Sequence, residues 1–90
     1  MKTQIEDILS SKGRIKILKT LIKNRELNIS EIARQAGLSY TSADRHLEEL
    51  KKQEMIKEKR FGRIRIFKIN EKNKMMKIIE EFMKKIEEGR

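Results

Sequence analysis

The residues of this sequence that could do chemistry are hydrogen-bond donors, and they are concentrated between Ser39 and Arg45. Thr41, Ser42 and Arg45 are short or forked donors that share the outer face near the start of a predicted helix. Donors in this position can reach base edges when a helix lies in the major groove of DNA. Ser39 and Tyr40 could contact phosphates beside the free N–H groups of the helix start. Taken alone, the pattern also fits an ordinary amphipathic helix.

A second group of donors is cationic and lies between Lys57 and Lys68, a stretch with six cations and one Glu. Alternating residue types predict two strands, Met55–Arg60 and Arg63–Asn70, around a turn containing Phe61. Such a hairpin could follow a DNA backbone or place an arginine in the minor groove. A charged edge that prevents aggregation is the alternative.

Three arginines of this hairpin are candidate DNA contacts: Arg60, Arg63 and Arg65. The period of two places Arg63 and Arg65 on the same face as Phe67 and Ile69. We expect Phe67 and Ile69 to lie on the core. The two arginines would continue that face towards the tip, where they would meet solvent or a ligand.

The sequence offers no catalytic or metal-binding pattern. It contains no Cys, which excludes a thiolate metal site and a Cys nucleophile. The single histidine, His46, lies beside the inner face of its helix, which favours a packed or phosphate-contacting side chain over a catalytic one. Asp44 and Glu48 flank it without a nucleophile or a carboxylate pair. We therefore predict a protein that is not an enzyme and needs no metal or other cofactor.

Capping residues define the helices around the candidate site. Ser30 suits the N-cap of one helix, and Gly37 suits the left-handed position that ends it. Ser39 then caps a helix running from Tyr40 to about Gln53. These intervals predict two helices joined by a tight turn.

The chain before Ser30 predicts two more helices and a short extended segment. Ser11 suits the N-cap of a helix that ends near Asn24, and the segment at Asn28-Ile29 is extended. An N-terminal helix is predicted from three apolar residues on one face: Ile5, Ile8 and Leu9.

The last helix is predicted to begin after an Asn70 N-cap and to end near Glu88. Its apolar residues have the spacing of a heptad seam, widened by Met83, which favours a second copy of the chain as partner. A membrane surface is the alternative, but glutamates on the polar face weaken attraction to anionic lipid. The predicted dimer interface consists of Met75, Ile79, Phe82, Met83 and Ile86.

Composition sets the class of protein. Ninety residues without a linker indicate one compact unit, and a net charge of +9 with a pI near 10.0 favours a nucleic-acid partner over an acidic membrane or protein. No apolar run has membrane-spanning length, so we expect no membrane association and a cytoplasmic protein. Abundant Lys, Glu and Ile are typical of hyperthermophiles.

Three segments together resemble the winged helix-turn-helix regulators of the ArsR/MarR type, especially compact archaeal ones. They are SSKGRIKILKTL, ISEIARQAGLSYTSADRHLEELKKQEMI and the hairpin ending IFKIN. The resemblance covers roughly residues 8–70 and implies a mainly α fold with a small β-hairpin wing, in the order α-α-β-α-α-β-β-α. Residues 1–70 would form the DNA-binding part, and residues 71–90 a dimerisation helix of the same unit.

The resemblance also implies residue roles. The helix from Tyr40 to Gln53 matches the recognition helix, with Thr41, Ser42 and Arg45 at base-reading positions, and Arg60 to Arg65 match the wing. It implies a homodimer that binds double-stranded DNA. The cysteines of metal-sensing members are absent, and no small-molecule effector is evident.

The expected function is therefore sequence-specific duplex DNA binding in transcriptional regulation, as a repressor. Helix 40–53 would read the major groove, and wing 57–68 the flanking backbone or minor groove. The alternative keeps the fold but makes it a protein-interaction, RNA-binding or nonspecific chromatin-type module.

Overall fold

The computed structural model describes residue 6, residue 8 and residues 10–89. The helices are α1 (Lys12–Asn24), α2 (Ile29–Ala36), α3 (Tyr40–Lys52) and α4 (Lys74–Glu88), and the strands are β1 (Glu26–Asn28), β2 (Ile56–Phe61) and β3 (Ile64–Ile69). The strands form one antiparallel sheet in the order β1-β3-β2. This is the predicted mainly α architecture with a β-hairpin wing, and the winged helix-turn-helix prediction is confirmed.

The predicted turn between α2 and α3 is confirmed in its atomic details. Gly37 has a φ of 68° in the left-handed region, where a side chain would be strained, and its N–H closes the end of α2. Ser39 Oγ accepts a hydrogen bond from Ser42 N at 3.1 Å and begins α3. Ser11 caps α1 in the same way, accepting from Arg14 N at 3.2 Å.

Two predicted caps are wrong by a few residues. Asn28, not Ser30, caps α2, because β1 ends at Asn28 and its side chain accepts from Glu31 N at 2.9 Å. Asn73, not Asn70, caps α4, and its side chain accepts from Met76 N at 2.9 Å.

Asn70 is unavailable as a cap because it still belongs to the hairpin. Its backbone N–H donates to Met55 O at 2.9 Å, and its side-chain amide donates to Glu54 O at 2.7 Å. The helix can begin only after this pairing ends, which moves its start to Lys74.

The core lies between the helices and the inner face of the sheet. Phe67 is fully buried and Ile69 nearly so, as predicted. Helix α4 closes one side of this core through Met76, which is also fully buried. Of the predicted N-terminal helix, Ile8 is buried in the core, whereas Ile5 and Leu9 lie outside the described residues.

Candidate nucleic-acid interface

The outer face of α3 begins with polar side chains that are largely exposed among the described residues. Thr41 and Arg45 are exposed, Ser42 is half-buried, and Ser39 and Tyr40 are exposed at the helix start. The Ser39 oxygen accepts the capping hydrogen bond, which leaves its hydroxyl hydrogen able to donate outwards. The structure thus brings the predicted donors of this segment to one exposed helix end.

His46 has a packing role, one of the two predicted for it. Its Nδ1 accepts a hydrogen bond from Arg14 Nε at 3.4 Å, which joins α3 to α1. A Cβ placed on Gly13 would lie only 2.6 Å from His46 Nε2, so the glycine permits this close packing. Burial, with the positive charges of Arg14 and Arg45, lowers the pKa of His46 and keeps the ring neutral near pH 7.

Arg65 is largely buried, so the prediction that it meets solvent is wrong, while its contact with DNA stays a prediction. Its side chain is only 11% exposed, and its guanidinium contacts carboxylates of both α3 and β2. Arg65 Nε donates to Glu58 Oε2 at 2.7 Å and Nη1 to Asp44 Oδ1 at 2.8 Å. Its Nη2 lies 3.7 Å from Glu48 Oε2.

Glu58 is the second centre of this network, which we call the Arg65 cluster: Arg65, Glu58, Asp44, Glu48 and Lys51. The Glu58 side chain is 6% exposed, and its Oε1 accepts from Lys51 Nζ at 2.6 Å. Burial alone would raise the pKa of Glu58, but hydrogen bonds from Arg65 and Lys51 outweigh it and lower the pKa to about 2. The hydrogen bond to Glu58 likewise raises the pKa of Arg65.

The Arg65 cluster fixes the orientation of the wing relative to α3. Lys51, near the end of α3, binds Glu58 near the base of the hairpin. Asp44, nearer the start of α3, binds Arg65, which lies further towards the hairpin tip. The Tyr40 hydroxyl lies 3.5 Å from Arg65 Nη1. Two charge-assisted contacts along one helix restrain the hairpin more than one would. Sequence reasoning missed the cluster, although a lone Glu58 among six cations was its visible signal.

The remaining wing arginines lie at the exposed tip. Arg60 is exposed and donates through Nε to Glu58 Oε2 at 3.1 Å. Arg63 is exposed in the two-residue turn and has no ion pair with any described residue. Gly62 beside it has a φ of 62°, the left-handed value that a tight hairpin turn requires at its first position. Arg60 and Arg63 therefore present charge at the tip, whereas Arg65 does not.

The predicted dimer residues of α4 divide between two faces. Met75, Ile79 and Met83 are half-buried and pack against the core of their own chain. Phe82 and Ile86 are exposed, as is Ile78, and they form an uncovered apolar stripe along the helix. The exposed apolar stripe thus contains two of the five predicted residues, Phe82 and Ile86, and also includes Ile78.

Within the described part of the chain, no three or more His, Asp or Glu side chains are grouped so that they could hold a metal ion. None of the described helices has the length and apolar character of a membrane span. An open groove of about 870 Å³, which the sequence did not predict, lies between α1, the end of α2 and α4. Its rim carries several lysines, among them Lys16, Lys19 and Lys23.

A capped helix-turn-helix followed by a basic hairpin defines the winged helix-turn-helix class of DNA-binding proteins. Within that class, residues 11–58 match the family described as bacterial regulatory proteins of the arsR family, and the match spans more than half of the chain. The chain belongs to the ArsR family of DNA-binding transcriptional regulators. A comparison with curated proteins found no significant match.

Solved structures share the fold at low sequence identity. HlyU from Vibrio cholerae N16961 is 18% identical with a TM-score of 0.77, over 91% of this chain and 86% of that one. NolR from Sinorhizobium fredii is 21% identical with a TM-score of 0.75, over 91% and 79%. The homodimeric winged helix-turn-helix DNA-binding domain of Mb0332 from Mycobacterium bovis is 20% identical with a TM-score of 0.72, over 96% and 81%.

Proposed function

We propose that the chain is a sequence-specific repressor that reads the major groove with α3 and contacts the backbone or minor groove of the flanking duplex with the wing. The observation that carries this proposal is the shared orientation of two donor surfaces. The exposed start of α3 and the cationic tip of the hairpin lie at the same end of the molecule, because Arg65 ties the outer part of the hairpin to Asp44. A duplex could meet both surfaces at once. A DNA-bound repressor would act by occupying a promoter.

The reading unit is proposed to be a homodimer, with residues 1–70 as the DNA-binding part and residues 71–90 as the dimerisation helix. An uncovered apolar stripe on α4 supports a second copy as its cover. The Mb0332 domain, which shares the fold, is described as homodimeric. Two recognition helices about 34 Å apart would enter successive major grooves, so the operator would be near-palindromic.

Selection of bound sites from random duplex DNA tests the proposal. A near-palindromic consensus with half-sites one helical turn apart supports the dimeric sequence-specific regulator. A filter-binding titration against duplex DNA, RNA and heparin is the companion measurement. Equal affinity for all three polyanions, with no enriched sequence, would identify a nonspecific binder or an adaptor instead.

Arg45→Ala is expected to relax sequence preference and to weaken binding to the selected site by about 1–3 kcal/mol. The guanidinium is exposed on the outer face of α3, where its fork can bind a guanine edge. Competition titrations with point-substituted operators measure both effects. Arg45→Lys is the matched control, since it keeps the charge and loses the fork. Unchanged preference in both variants would show that Arg45 does not read bases.

Arg63→Ala is expected to weaken binding to every duplex and to reduce the salt slope of log K by about one unit. The side chain is exposed at the wing tip, where it can neutralise a phosphate. Titrations over a series of salt concentrations measure the slope. Lys72→Ala removes an exposed charge from the loop at the other end of the hairpin and should leave the slope unchanged. Equal slopes for wild type and Arg63→Ala would remove the tip from the DNA contact.

A further inference from the structure

The large apolar side chains that are exposed among the described residues fall into two groups. One group lies on α4 and belongs to the proposed dimer surface: Ile78, Phe82 and Ile86. The other lies at the proposed DNA-binding end: Tyr40, Phe61 and Ile64. Dimerisation through α4 explains the first group and leaves the second unexplained.

Phe61 and Ile64 form one apolar unit at the wing tip. They are Cα partners in the last residue pair of the β2–β3 hairpin, so their side chains lie on the same face. Phe61 is 60% exposed and Ile64 55% exposed, although both belong to types that proteins usually bury. The left-handed Gly62 makes the turn tight and leaves the pair at the end of a narrow projection.

The surroundings of this pair favour DNA as its binding partner. The adjacent residue pair, Arg60 and Arg65, is the row that the Arg65 cluster holds against the first turns of α3. Because successive residue pairs point to opposite faces, Phe61 and Ile64 lie at the tip on the face of the hairpin that points away from α3. Arg60 and Arg63 are exposed beside it, and their charges favour a polyanion over an apolar protein surface.

We propose that Phe61, supported by Ile64, is an apolar wedge that enters the minor groove, partly unstacks a base step and bends the duplex. This inference rests on the proposed DNA binding. Apolar side chains inserted between base steps unstack them and bend DNA towards the major groove, and the cost is recovered by additional contacts. Arg60 and Arg63 would hold the phosphates on either side, while the Arg65 cluster keeps the hairpin rigid. Steps that unstack easily, such as TA and CA/TG, would be favoured under the tip.

Phe61→Trp tests the insertion directly, because the chain has no tryptophan and the new indole is the only one. Its emission should be quenched and protected from acrylamide when the protein binds the duplex recovered from random-site selection. Glu71→Trp is the matched control, exposed in the loop at the opposite end of the hairpin, and its emission should not change. An indole at position 61 that stays solvent-accessible in the bound complex overturns the wedge.

Phe61→Ala should weaken binding to the same duplex by about 5-fold to 150-fold and should abolish the bend, measured by energy transfer between labelled duplex ends. Phe61→Lys should also lose the bend. If the tip only contacts phosphates, the added cation should instead strengthen binding, and that result overturns the wedge. If Phe61→Ala fails to fold, Phe61→Trp, which keeps an aromatic ring, still tests whether the side chain enters the duplex. A wild-type chain that binds no duplex overturns the proposed function as well, whereas unbent binding overturns the wedge alone.

Discussion

Phe82→Glu is expected to convert the proposed homodimer into a monomer and to weaken binding to a palindromic operator by about 10²- to 10⁴-fold. Phe82 is 61% exposed in the middle of the α4 stripe, flanked one turn away on each side by Ile78 and Ile86. A glutamate there would have to be desolvated without a partner when two stripes meet. A dimer binds two half-sites at once and therefore has a higher affinity than a monomer. The variant should lose this gain in affinity.

Sedimentation equilibrium and operator titration measure the two parts of this prediction. Lys77→Glu introduces the same side chain on the exposed polar face of α4 and should leave the dimer intact. Because Phe82 is exposed within its own chain, the variant should keep the helical content of the wild type. A Phe82→Glu protein that still sediments as a dimer would place the interface on another surface.

The elements that the sequence predicted well are those that depend on neighbouring residues. Ser11, Gly37 and Ser39 act within three or four positions of themselves, so their types at those spacings were sufficient. The strand faces followed from a period of two, which placed Phe67 and Ile69 on the core. The ArsR resemblance depended on segments of the same local kind, and the family match over residues 11–58 covers the helix-turn-helix but not the end of the hairpin.

The features that the sequence did not predict depend on distant partners. Arg65 lies 21 positions from Asp44, and periodicity cannot tell which part of a sheet face passes over a helix. The division of the α4 side chains between buried and exposed was not predicted for a similar reason, since the burial of Met76 depends on how the helix docks. The start of α4 was predicted three residues too early because a cap is recognised by residue type, and the sequence does not show that the Asn70 backbone pairs with Met55, which leaves Asn73 as the cap.

Arg65→Ala is expected to lower the free energy of unfolding by on the order of 3 kcal/mol, because it removes the most buried cationic partner of the buried Glu58 carboxylate. Lys51 and Arg60 remain bound to Glu58, which keeps the loss at the lower end for a broken buried pair. Urea unfolding followed by circular dichroism measures it. Arg65→Lys is the matched control for charge, and it should recover only part of the loss, since one ammonium cannot bridge Asp44 and Glu58.

A double-mutant cycle separates the ion pair from simple packing. Replacing Arg65 and Glu58 together by methionine should cost less than Arg65→Ala alone, because no unpaired charge is then left buried. A double variant as unstable as the sum of its single variants would show that the two side chains act independently. Arg65 also lies 5.2 Å from the Phe67 ring centroid, and methionine retains part of this packing.

The same pair gives stability a defined pH dependence. The folded-state pKa of Glu58, about 2, lies below its ordinary value of 4.5, so its contribution is present above pH 4.5 and is lost as the pH falls towards 2. Glu58→Gln should therefore differ most from wild type above pH 4.5, and the two unfolding curves should converge as the pH approaches 2. A difference that stays constant across this range would mean that the carboxylate charge of Glu58 does not hold the wing against α3. Convergence would identify that charge as a link between the wing and α3, and Glu58→Gln should then also reduce the proposed DNA bend, which depends on a rigid wing.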